Sequence, residues 1–358
     1  MHLEALFERV GPILGFLVCI TVVAELADRI GLFDVLAREA ARIARGSVVG
    51  LWLLVVLVGS VSSAVLSLDT TAVLITPVVL VLARQLGLSQ SLFAYTAVWL
   101  ANTASLVLPV SNLTNLLAWN RLGGGIFRFA EVMWPAALAA LLITVGFAAV
   151  VFRRELRGRY QQPPEVHVED KPLLITAGVV CGGLGPAFAL GVDVTLAAAV
   201  GAVIMVVACL VRNRSHLSWK LLPWQLVVGV SVLFVVVQFA QEHGLSTVLG
   251  YAAGHGERWL DLLRLSGISA ASANVVDNLP AYLALEPLAD TPQRIAALLI
   301  GVNAGPLILP WASLATLLWA GRCRAAGVSV NWRTFALRGL VLVPLLVVGC
   351  VSATALLG

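Results

Sequence analysis

The residues most able to do chemistry lie where an apolar chain has little reason to place them. Between Ala101 and Trp119, inside an uncharged run from Gln85 to Asn120, stand Asn102, Thr103, Ser105, Ser111, Asn112 and Asn115 around Pro109. Amide and hydroxyl groups of this kind bind by hydrogen bonding, without net charge. Where proline interrupts a helix, freed carbonyls suit a cation, and the N-terminus of the following half-helix suits an anion or a polar solute.

The pattern returns 201 positions later (102 to 303): Asn102 falls on Asn303, Leu108-Pro109 on Leu309-Pro310, Leu113 on Leu314, and Leu116-Leu117 on Leu317-Leu318. The second copy thus offers Asn303, Gly305, Pro306, Pro310 and Ser313. Gly301 and Gly305 also form a G-x-x-x-G, a spacing that serves close helix packing more often than a site.

Two isolated carboxylates complete the set. Asp69 separates the uncharged stretches Gly46 to Leu68 and Thr70 to Ala83, and Asp277 separates Leu265 to Val276 from Asn278 to Leu285. A carboxylate at the bilayer centre costs about 2.5–3.5 kcal/mol on insertion scales, so each is expected to face a polar cavity or to change its protonation state. The alternative for both is a turn at the membrane surface. Thr70 and Asn278 are read with them as binding residues, and Pro280 as a helix break. Glu25 and Asp28 fall near the end of the first span, beside Arg29.

No enzyme constellation competes with this reading. H-E-x-x-H, G-x-S-x-G and Walker spacings are absent, and the five histidines are dispersed, with His243 and His255 near segment ends. Cys19, Cys181, Cys209, Cys323 and Cys350 form no close pair, so neither a zinc site nor a disulfide framework is readable. No metal and no cofactor is expected.

The elements that must hold these residues are membrane helices. The chain is 60% hydrophobic and 12% charged, with a mean hydropathy of +0.96, whereas soluble domains carry about 25% charged residues. Gly46 to Leu68, Val132 to Phe152, Leu173 to Leu190, Val194 to Val211 and Gly339 to Gly358 reach the roughly 18 residues a crossing needs. The first span occupies 10–30, and Met1 to Arg9 lacks the basic start and cleavage site of a signal peptide. Residues 33–46 read as an amphipathic interfacial helix, with Arg38, Arg42 and Arg45 opposite Phe33, Leu36 and Ile43. The two arms around Asp69 fit either a re-entrant hairpin or a tilted, broken pair.

Basic residues cluster in 153–171 and 212–220, two crossings apart, and this assigns both loops to the cytoplasm. The net charge of +4 is therefore a topology signal, and no nucleic-acid partner is expected. From Leu221 the first half restarts: Val236 to Ala240 followed by Gly244-Leu245 and Val248-Leu249 matches Val23 to Ala27 followed by Gly31-Leu32 and Val35-Leu36. Ser272-Ala273 through Pro280 takes the place of Ser63-Ala64 through Thr71. We expect an all-α polytopic membrane protein: a first repeat over 1–152, a basic linker with two connecting helices over 153–220, and a second repeat over 221–358. Each repeat carries a hairpin and a discontinuous helix, the sequence pattern of secondary transporters. An odd number of crossings per half makes the repeats inverted.

At these residues the chain resembles the arsenical pump membrane protein family, within the ion transporter superfamily that also holds dicarboxylate and citrate carriers. The resemblance is most specific in Asp69 to Pro77, Thr103 to Asn115, Leu222 to Gln225, Asn278-Leu279-Pro280 and Gly305 to Trp319. It implies efflux of arsenite or antimonite across the inner membrane, driven by the proton gradient, sodium being the alternative coupling ion, and in some systems by a partner ATPase. It also implies inverted repeats whose re-entrant hairpins and discontinuous helices meet at a midplane site; a homodimer is left open. The chain departs from the family pattern at Asn102 and Asn303, where the family has Asp, at Leu307, where it has Lys, and at Asp277, where it has Asn.

An uptake carrier for a dicarboxylate or other anion is the alternative, and a non-transporting membrane scaffold the distant one. Anion binding asks for basic groups at depth, and no Lys or Arg lies between Arg84 and Arg121 or between Arg294 and Arg322. Neutral polar groups suit an uncharged hydroxide better.

Overall fold

A bilayer leaves an apolar backbone no water to bond with, so its N–H and C=O groups must pair within the segment, and the apolar runs form helices. The computed structural model describes residues 3–161, 170–190, 192–224, 227–229, 231–232, 236, 239 and 252–357. The order is α1 (Leu3–Arg29), α2 (Leu32–Ile43), α3 (Val48–Val65), α4 (Leu68–Thr70), a π-helical turn (Thr71–Ile75), α5 (Thr76–Gln85), α6 (Gln90–Thr103), α7 (Leu113–Leu122), α8 (Gly125–Val151), α9 (Lys171–Ala189) and α10 (Val194–Arg212). Then follow α11 (Trp259–Val276), α12 (Asn278–Leu285), α13 (Pro292–Ala304), α14 (Leu314–Ala325) and α15 (Trp332–Leu357). Six stretches among the described residues are long and apolar enough to cross a membrane. The protein is an all-α, multi-pass membrane protein. The expected match of Val236 to Ala240, Gly244-Leu245 and Val248-Leu249 to the first half, with His243 and Gln225, lies largely outside the described residues.

Local chemistry sets the helix starts. Side chains of Ser47, Ser89, Asp170, Asp193 and Thr291 each accept a bond from the backbone N–H three residues on, satisfying donors that a first helical turn leaves open. Gly123, Gly124 and Gly125 all have positive φ, which turns the chain sharply from α7 into α8.

Helix α2 buries Leu32, Phe33, Ala37, Ala40 and Ala41. Leu36 and Ile43, the other residues of the expected apolar face, are 40% and 64% exposed. Leu32, Phe33 and the three alanines make the contact with the protein, and Leu36 and Ile43 lie outside it, on the side an interfacial helix turns to lipid.

Two ends of the bundle can be told apart by their contacts. At one end the Tyr160 hydroxyl donates to Ala41 O, Arg29 donates to His216 O and Ser218 Oγ, and Arg212 bonds Asp170. At the other, Arg121 donates to Glu286 O, Trp259 Nε1 to Ser352 Oγ, and buried Arg294 to Gly254 O and Gly256 O. Helices α9 and α10 pack on each other and on α1, beside the core rather than through it.

The core is built from crossed pieces. Helix α14 packs on the π-helical turn and α5 of the first hairpin, while α7 packs on α12 and α13 of the second copy. Gly301 lets α13 lie against α11: a methyl there would overlap Ser266 O and Ser269 Cβ, and at Gly305 it would overlap Ala270.

Candidate substrate site at the paired helix breaks

Helix α6 stops at Thr103, passes through a 3₁₀ turn (Ala104–Val107), and reaches extended backbone at Leu108, as the residue before a proline prefers. After a second short turn (Pro109–Ser111), Asn112 is extended and its Oδ1 accepts from Thr114 N at 3.3 Å, starting α7. The second copy breaks between Ala304 and Leu314, with Pro306 and Pro310 inside the interruption and Ser313 extended before α14. Pro280 marks no break: it is the third residue of α12, in a first turn where its missing N–H costs nothing. The break there falls at Asp277.

Asn274, which sequence reasoning missed, closes the second interruption. Its Nδ2 donates to Ala270 O (2.8 Å) and Gly305 O (2.9 Å), and its Oδ1 accepts from Ile308 N (3.3 Å) and Leu309 N (3.1 Å). The available signal is an amide alone on the apolar helix α11.

The two breaks touch. Asn303 Oδ1 accepts from Asn112 Nδ2 and Thr114 Oγ1, both at 2.7 Å, and Asn303 Nδ2 donates to Asn115 Oδ1 at 2.6 Å. Asn115 Nδ2 in turn donates to Ser105 O (2.7 Å) and Leu108 O (3.0 Å), while Ser111 Oγ donates to Ser105 O. Thr103 donates to Trp99 O and receives the Thr144 hydroxyl. All of these residues but the half-buried Leu108 are buried.

The counterpart of this network is unmade. Shifting by 201 positions carries Asn303 onto Asn102, Asn112 onto Ser313 and Asn115 onto Thr316. Asn102 Oδ1, Ser313 Oγ and Thr316 Oγ1 are buried with no hydrogen-bond partner among the described residues. Asn102 Nδ2 donates only to Val98 O, one turn back on its own helix. Leu307, fully buried, adds no charge.

Each hairpin turns at a residue with positive φ whose side chain caps the next helix. Ser67 (φ 114°) accepts from Thr70 N, and Asp277 (φ 85°) accepts from Leu279 N. By geometry Asp277 is therefore the partner of Ser67, two residues away from the pairing with Asp69 that residue type suggests. Thr70 serves the tip itself, donating to Leu66 O and accepting from Ser67 Oγ.

Both tips open on one cavity of about 710 Å³. Asp69, Asn112, Asp277, Asn278 and Ser313 line its inner end; Glu25, Pro223 and Arg322 line its outer end, toward the loops at 153–161 and 212–218. Thr103, Ser105, Ser111, Asn115, Asn303 and Gly305 stand behind that wall and hold it. Arg322 is the one basic residue lining the cavity among the described residues, and it lies at the outer end. The inner end offers two carboxylates, amides and hydroxyls: acceptors for a neutral or cationic solute. Among the described residues no cluster of three or more His, Cys, Asp or Glu could hold a metal ion.

Comparison with known proteins agrees with this architecture. The family model described as Citrate transporter, CitMHS, matches residues 4–316. The chain is 30% identical over 353 residues to the arsenical pump membrane protein of Escherichia coli strain K12, covering 91% of this chain and 81% of that one. It is 29% identical over 360 residues to the one of Yersinia enterocolitica, with the same coverage. The crystal structure of the Alcanivorax borkumensis YdaH transporter matches with a TM-score of 0.57 at 17% identity, over 98% of this chain and 88% of that one, a likeness of fold. With its core matched over most of its length, the chain is a transporter that belongs to the citrate transporter family and to the family of arsenical pump membrane proteins.

Proposed function

We propose that this transporter is a proton-coupled carrier that exports arsenite and antimonite, as neutral trihydroxides, across the inner membrane. The observation that carries the reading is the cavity's inner end, where Asp69 and Asp277 stand with amides and hydroxyls and no basic residue. An anionic substrate would meet two carboxylates there, whereas a neutral hydroxide can donate its O–H groups to them and to the hydroxyls. The arsenical pump relatives support the same substrate class.

The architecture of the proposal is two inverted repeats, 1–152 and 221–358, joined by the linker of 153–220. Chain direction favours it: the first hairpin begins at Val48, beside the Ser47–Arg159 bridge at the basic-loop end, while the second begins at Trp259, bonded to Ser352 at the other. With the basic loops cytoplasmic, the cavity opens inward, as an exporter loading its cargo requires. Asp69 is the coupling residue in this scheme.

The test is expression in an arsenite-sensitive host whose own pump is deleted. Tolerance to arsenite and antimonite rises and cellular arsenic falls if the proposal holds; control values despite verified membrane insertion overturn it. The second reading, uptake of a dicarboxylate, has the citrate transporter description in its favour. Labelled citrate accumulation in the same cells selects it.

A further inference from the structure

A second polar cavity, separate from the substrate cavity, lies at the basic-loop end. It measures about 220 Å³, room for roughly seven waters, and lies between the start of α6, the end of α14 and the start of α15. Arg338 reaches it from α15; the hydroxyls of Ser91, Tyr95, Ser329 and Thr334 and the amide of Asn331 complete its polar lining, and no carboxylate borders it among the described residues. The guanidinium lies 4.4 Å from the Tyr95 ring centroid and 4.8 Å from that of Phe152. No carboxylate pairs with Arg338 among the described residues, although Arg29, Arg42, Arg128, Arg212 and Arg294 each have an acidic neighbour.

An arginine over aromatic rings that shares one N–H with the Tyr95 hydroxyl still has donors left on its fork, and that fork matches a phosphate-type oxyanion. The first turn of the 26-residue α15 adds open backbone donors beside it, with Asn331 Oδ1 already taken by Thr334 N at 3.0 Å. Arg153 and Arg154 follow Phe152 directly and are exposed, so the approach is basic as well.

We propose that this cavity binds a phosphate-type oxyanion, held by Arg338 with the hydroxyls of Ser329 and Thr334. Bound there, the anion bridges α6, α14 and α15, which come from both copies. The ligand is either the phosphodiester of an anionic membrane lipid or free phosphate, since the two share the chemistry the site recognises.

Thermal unfolding of the purified full chain decides, in phosphatidylcholine nanodiscs, with phosphatidylglycerol added to the lipid or with inorganic phosphate added to the buffer. Wild-type protein is stabilised by at least one addition at matched ionic strength. Phosphatidylglycerol alone acting identifies a lipid site, and phosphate acting identifies a soluble one. Arg338→Gln raises the half-effect concentration about tenfold or more, Arg338→Lys less. Ser329→Ala with Thr334→Ala weakens it several-fold with Arg338 in place, and decides the matter if Arg338→Gln fails to fold. Equal stabilisation of wild type and these variants, or no stabilisation of wild type by either probe, overturns the proposal.

Discussion

Asn303→Ala removes the group on which the two helix breaks converge. It deletes three buried hydrogen bonds, to Asn112, Thr114 and Asn115, at 2.6–2.7 Å. At the interhelical average for membrane proteins of ~0.6 kcal/mol each the loss is about 2 kcal/mol. Counted instead as the Asn112 and Thr114 donors and the Asn115 acceptor left buried without partners, at the low end of ~1–3 kcal/mol per group, it is about 3 kcal/mol. We expect about 3 kcal/mol. With an unfolding entropy near 2.1 cal/mol/K per residue, that corresponds to a Tm lower by roughly 4 °C for a chain of 358 residues. Asn102→Ala serves as the internal control: it removes one bond within its own helix and an oxygen that has no partner, so its cost is well under half as large. Thermal unfolding of detergent-purified protein measures both. If Asn303→Ala unfolds within about 1 °C of wild type, or if Asn102→Ala costs as much, the asymmetry between the two copies has no energetic content.

Four further outcomes are expected. Asp69→Asn inserts normally but loses accumulation driven by an imposed pH gradient in vesicles, keeping at most downhill flux. Asp277→Asn does less, because Asn keeps the cap and tolerates positive φ, whereas Asp277→Ala loses both, at about 1 kcal/mol for the cap, measured by the same unfolding assay. Gly301→Ala drives a methyl into Ser266 and Ser269, costs about 3 kcal/mol or more, and shows as poor expression and a lower Tm. At the surface, hydrogen bonds from Arg212 and then from Leu173 N hold the Asp170 carboxyl below the usual range. A depressed carboxylate stabilises the fold above its unfolded pKa of about 3.9, and that stabilisation is lost only as pH falls through the lower folded value. Asp170→Asn therefore leaves the shape of the Tm profile between pH 5 and 8 unchanged, and any divergence from wild type appears below about pH 4.

The spans, the duplicated broken helices and their offset were legible because apolar length and the placement of proline and asparagine are one-dimensional signals. Asn303 could be named from sequence, but its bonds to Asn112 and Asn115 could not, because they join points about 190 residues apart. The hairpin register was misread for a definite reason. Like was aligned with like, Asp69 with Asp277, while the fold aligns roles: Ser67 and Asp277 both turn the chain and cap. Asn274 escaped notice because its partners lie in another segment, and Pro280 misled because proline is as much at home in a first helical turn as in a break. Helix α2 could be read as amphipathic, but periodicity marks the apolar stripe without telling which of its residues meet protein, as Phe33 does, and which do not, as Leu36 and Ile43.

The bonds through Asn303 also constrain how the machine moves. A carrier must show its cargo site to one side of the membrane and then to the other, and some seam in the molecule has to slide or open. A seam stitched by three dry hydrogen bonds is a poor choice, because water cannot follow to replace them as it parts. The two breaks, with each copy's half-helix seated on the other copy's hairpin, form a single moving part. If that part moves as a unit, the sliding surface runs along its outside, past α1 and the α9–α10 pair, which pack on each other beside it.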